Sequence, residues 1–134
     1  MPKILFAVFL LAHAAIHASY ISPRPPATAG GPSWPFELGR SWLLSPLGLS
    51  ADMTRLVGIG LLAIVVIGFG IAALAALGMV PMTLWQGAVV VGAVASTAML
   101  VLFFHPWLVA GVWIDLVLLW AALVADWTPA SLGG

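Results

Sequence analysis

Four long apolar runs, residues 3–20, 55–77, 82–104 and 107–125, fill most of this 134-residue chain. Each reaches or approaches the eighteen or so residues needed to cross a hydrocarbon core. Lipid offers no partner for backbone polar groups, so such runs cross it as helices. The expected fold is an all-α integral membrane protein: an antiparallel bundle of four transmembrane helices forming a single membrane domain over residues 1–134. Composition agrees. With 63% hydrophobic and 6% charged residues and a mean hydropathy of +1.20, the chain lacks the polar surface of a water-soluble globule.

The links set the topology. Gly78 is placed to end the second helix and Pro81 to forbid its continuation, and His105-Pro106 divides the third from the fourth. Links this short make neighbouring helices antiparallel. The first run has a rival reading, because Lys3, an apolar stretch and Ala12-His13-Ala14 resemble a signal peptide cleaved near residue 14. Apolar character continues through Ile21, which favours retention. Residues 126–134 form a tail.

The one sizeable loop, residues 21–54, opens with the Pro- and Gly-rich SPRPPATAGGP. Its second half mixes Trp34, Phe36, Leu38, Trp42 and Leu47 with Glu37 and Arg40. That pattern predicts a short amphipathic segment, either anchored at the bilayer interface or folded over the bundle mouth with Trp34, Glu37, Arg40 and Trp42 as a lid. Orientation has two readings. Arg24, Arg40 and Arg55 draw the loop to the cytoplasm, whereas the balance around the first helix favours a cytoplasmic N-terminus, the reading preferred here. The expected location is a bacterial cytoplasmic membrane.

Several functions are excluded or left without support. Without cysteine the chain has no disulfide, thiolate ligand or iron–sulfur cluster, and it cannot perform the chemistry of four-helix thiol oxidases. Zero net charge gives no reason to expect nucleic acid. Short drug-exporting four-helix transporters carry a glutamate in the first helix, which this chain lacks, and no internal repeat supports an inverted-repeat transporter. In size and helix count the chain resembles DoxX-type and other small bacterial four-helix membrane proteins, an outline that transfers no activity.

The chemistry-bearing residues lie within the spans. Asp115 sits mid-run, where a carboxylate costs about 2.5–3.5 kcal/mol even on the lenient insertion scale. The three histidines are His13, His17 and His105. At 1.5 Å per residue, His13 lies roughly 12 Å below the loop-side end of the first helix and Asp115 about 13 Å below Pro106, so the two share a depth. His17 is one turn above His13 on the same face. The expectation is a funnel with His105 and the loop at its mouth, His17 partway down and His13 opposite Asp115. It would bind or conduct a small molecule, a lipid-like ligand or a cation.

Two alternatives stand beside it. In one, the His13–Asp115 pair only fixes packing in a structural or accessory subunit of a membrane complex. In the other, His13 and His17 at i and i+4, completed by His105 or Asp115, hold a divalent metal in a membrane oxidoreductase. Enzymatic activity stays open, although no recognisable nucleophile or acid–base set is present, and haem has no defined axial pair. The lack of a neighbouring glutamate sets HxxxH apart from the zinc-protease motif.

Two features concern packing. Small residues recur every four positions at Gly68, Ala72 and Ala76 and at Ala88, Gly92 and Ser96, which predicts close helix contacts or a homo-oligomer. Trp34, Trp42 and Trp107 on the loop side and Trp85 and Trp127 opposite form an expected aromatic belt. Trp113 and Trp120 share a deeper face turned away from Asp115, and Gln86 is expected to be solvated at a helix end.

Overall fold

The computed structural model describes residues 1–26, 29–31 and 34–132. Among them are four helices long and apolar enough to cross a membrane: α1 (Pro2–Ala18), α2 (Ala51–Ala76), α3 (Leu84–Leu102) and α4 (Val109–Leu123). The chain is a multi-pass membrane protein with the expected four-helix architecture. A 3₁₀ turn, Ser19–Ile21, prolongs α1, and another, Pro106–Leu108, leads into α4. No strand occurs among the described residues.

Helix ends follow local chemistry. α2 begins four residues before the apolar run because Ser50 caps it, accepting a hydrogen bond from Met53 N at 3.3 Å, while Asp52 lies in the positive first turn. Its other end closes as a Schellman motif, with Gly78 at φ +76° and Met79 N bonded to the Leu74 carbonyl at 2.9 Å. α3 ends at Leu102, short of the apolar run, because Phe103 leaves the helical region and the next residues turn into His105-Pro106.

The helices pack in sequence, α1 on α2, α2 on α3 and α3 on α4. The small-residue stripes form the middle contact. A Cβ on Gly68 would lie 2.8 Å from Gly92 Cα and 3.0 Å from the Ala88 carbonyl oxygen, so the α2 and α3 backbones touch. Ala72, Ala76 and Ser96 are buried along the same stripes.

Two apolar clusters fill the bundle. One, toward the tail, contains Leu10, Phe69, Trp85, Val89 and Leu118. The other, toward the long loop, contains Tyr20, Leu38, Leu62, Met99, Leu100, Phe103 and Leu108. Trp85 departs from the belt expectation: it is 1% exposed, and its Nε1 donates to the Trp127 carbonyl. Phe6 packs on both rings, so this aromatic group closes the tail end of the bundle. Trp42, Trp107, Trp113 and Trp120 are exposed, as membrane-facing residues should be. Gln86 is exposed but tethered, donating to the Ala122 carbonyl at 2.9 Å.

In the loop, the amphipathic segment is a run of turns rather than a helix. Ser41 Oγ donates to the Leu102 carbonyl, and Trp42 Nε1 donates to the Val101 carbonyl. Both take up C-terminal carbonyls of α3. Leu38 is thereby buried while Trp42 and Leu47 face outward.

Candidate functional site

α1, α3 and α4 each bring polar side chains to one level of the bundle. His13 Nε2 lies 3.0 Å from Asp115 Oδ1. Ser96 Oγ donates to Asp115 Oδ2 at 2.5 Å and lies 2.7 Å from His17 Nε2. Thr97 Oγ1 makes a longer contact, 3.4 Å, with the same Oδ2. Asp115 has no exposed surface, and His13, His17 and Ser96 are buried.

The proton count on Ser96 orients this network. A hydroxyl has one proton, and with Asp115 ionised that proton points at Oδ2. In that arrangement the Ser96–His17 contact takes its proton from His17 Nε2. Nδ1 is buried without a hydrogen-bond partner. His17 thus carries a ring nitrogen with no protein partner, in a setting where buried polar atoms are nearly always paired.

His13, His17 and Asp115 each present one ligand-type atom within 4.8 Å of the others. Ligands around a tetrahedral zinc-like ion, bound at 2.0–2.2 Å, stand roughly 3.3 Å apart. The 4.8 Å bound on the three is wider than that spacing, so their side chains would have to draw in to hold an ion. Asp115 Oδ1 meets His13 while Ser96 and Thr97 hold Oδ2, the kind of outer contact that orients a carboxylate ligand. His13 also packs edge-on against Phe69 and His17, which restricts its ring.

His105 is not brought to this group. It precedes the Pro106–Leu108 turn, where its Nδ1 accepts from Trp107 N at 3.2 Å. Ten residues of largely helical chain separate it from Asp115, about 15 Å of rise. It cannot share an ion with Asp115.

The loop residues divide. Trp34 and Glu37 line a cavity of about 380 Å³ whose floor includes Tyr20 and Leu38, whereas Arg40 and Trp42 lie outside its lining. None of His13, His17 and Asp115 lines it. The apolar cluster of Tyr20, Leu38, Met99, Phe103 and Leu108 lies between this cavity and the polar level, so the expected funnel is divided in two.

Sequence reasoning missed Ser96 as a polar partner and read it only as a small packing residue. Ser96 is nine residues before His105 and Asp115 ten after it. The same depth count that matched His13 to Asp115 would have found it.

Comparison with protein-family models, with curated proteins and with solved structures finds no match.

Proposed function

We propose that this protein binds a transition-metal cation within the bilayer, held by His13, His17 and Asp115 and oriented by Ser96 and Thr97. The carrying observation is the gathering of two buried imidazoles and a carboxylate within 4.8 Å of one another, with His17 Nδ1 left without a protein partner. Two imidazoles and one carboxylate suit zinc, copper or non-haem iron better than magnesium or calcium, which prefer oxygen alone. Three protein ligands leave a coordination position for a further group, the pattern of sites at which a metal acts on something else. The cation thus belongs to the broader reading of a polar intramembrane ligand site.

The competing reading is a packing lock. It is favoured by the near-complete pairing of Asp115, whose two oxygens both find protein partners. Metal analysis of the full chain, purified without a histidine tag and offered zinc, copper or iron(II), separates the two. The expected result is about one ion per chain, lost in Asp115→Asn while the protein remains folded in detergent. No uptake of any of the three ions overturns the metal reading in favour of the lock.

A further inference from the structure

The loop-side cavity has a chemistry of its own, independent of the metal reading. It sits where α1 ends and α2 begins, at the edge of the apolar spans. Tyr20, Phe36 and Trp34 give it an aromatic wall, while Arg24, Arg55 and Glu37 carry its charge. Arg24 is engaged with Glu37 at 3.4 Å in an exposed pair, and among the described residues Arg55 forms no ion pair. The Trp34 indole N–H is buried without an acceptor. Two guanidiniums against one carboxylate leave the cavity with a net positive charge, which favours an anionic occupant.

From this arrangement we infer that the cavity binds a phosphate ester anion, with Arg55 donating to its oxygens and the aromatic wall packing against the attached carbon chain. Guanidinium forks match phosphate oxygens in pairs. The exposed Arg24–Glu37 pair is weakly held, so Arg24 turns toward the anion at little cost. A volume of about 380 Å³ accommodates a headgroup with its first carbons but not a whole lipid. The same chemistry is offered by the headgroup of an anionic phospholipid and by free phosphate.

The test is calorimetric titration of the full chain in a nonionic detergent, with blank micelles subtracted. Monomeric dihexanoyl phosphatidylglycerol, dihexanoyl phosphatidylcholine and inorganic phosphate serve as probes. Saturable binding is expected, weakened about tenfold or more by Arg55→Gln. Glu37→Gln, which removes the competing carboxylate, should strengthen it several-fold, an effect that a purely structural role would not produce. Phosphatidylglycerol binding without phosphate binding assigns the site to a lipid headgroup, and equal binding of inorganic phosphate assigns it to the free anion. Binding of neither anion, equal affinity for phosphatidylcholine, or indifference to Arg55→Gln and Glu37→Gln overturns the inference. Arg55 and Glu37 are exposed, so these variants leave the folded core untouched.

Discussion

At the level of single residues, Ser96 is the hinge of the polar cluster because one oxygen serves two helices. It donates to Asp115 on α4 and contacts His17 on α1. Ser96→Ala leaves His17 Nε2 and Asp115 Oδ2 short of a partner together. Measured interhelical hydrogen bonds in membranes average about 0.6 kcal/mol and reach about 1.7. Serving two groups, Ser96→Ala should fall at the upper end, read as loss of unfolding free energy in mixed micelles; a change near zero would show that the network adds nothing to stability. His13 and Asp115 invite a cycle. Asp115→Leu alone strands His13 Nε2, a cost of about 1–3 kcal/mol, while Ser96 keeps its contact with His17. His13→Leu/Asp115→Leu removes donor and acceptor together, so its cost should fall below the sum of the single variants by about 1 kcal/mol. Strict additivity would mean that the 3.0 Å contact carries no coupling.

Among the elements, the α2–α3 contact is the one with least tolerance. Gly68→Ala places a methyl 2.8 Å from backbone on the facing helix, where no rotamer change relieves it. Separating the helices should cost about 1–3 kcal/mol, as overpacking does elsewhere. Gly60 and Gly70 are internal controls, since a Cβ on either meets nothing within 4 Å. There alanine removes a flexible residue from a helix and should be neutral or stabilising by up to about 1 kcal/mol. Thermal unfolding of the three variants checks the order, and equal effects would refute the close approach. This contact also marks what the sequence made legible. The four-residue spacing of Gly68, Ala72 and Ala76 exposed the packing face because small residues in lipid have few other uses. The start of α2 was hidden because its capping turn, Ser50 and Asp52, is polar and reads as loop on hydropathy. Asp115 and His13 were paired by depth because both are rare in a span. Ser96 was overlooked because serine is common in spans and small. Trp85 defeated the interfacial rule because the tail and Phe6 cover it, and hydropathy carries no information about which neighbours will arrive.

For the whole molecule, the fold sets a dry layer between the loop-side water and the polar cluster. Leu38 is its movable part, because it comes from the loop rather than from a helix, yet it packs against Gly58 and joins Tyr20 and Phe103 in the layer. Given a bound metal, an aqueous chelator arriving from that side must wait for the layer to open. Leu38→Ala removes about 2 kcal/mol of packing. If that loss falls on the closed layer, opening becomes roughly thirtyfold more frequent. Metal release to the chelator should accelerate by about that factor. Val89→Ala supplies the comparison, since Val89 is buried in the cluster on the other side of the polar level. It weakens the bundle without touching the layer, so its release rate should stay near that of the unaltered protein. Equal acceleration in both variants would place the rate-limiting step in opening of the bundle as a whole. No acceleration in Leu38→Ala would place the route to His13, His17 and Asp115 elsewhere, through the tail end or between the helices from the lipid.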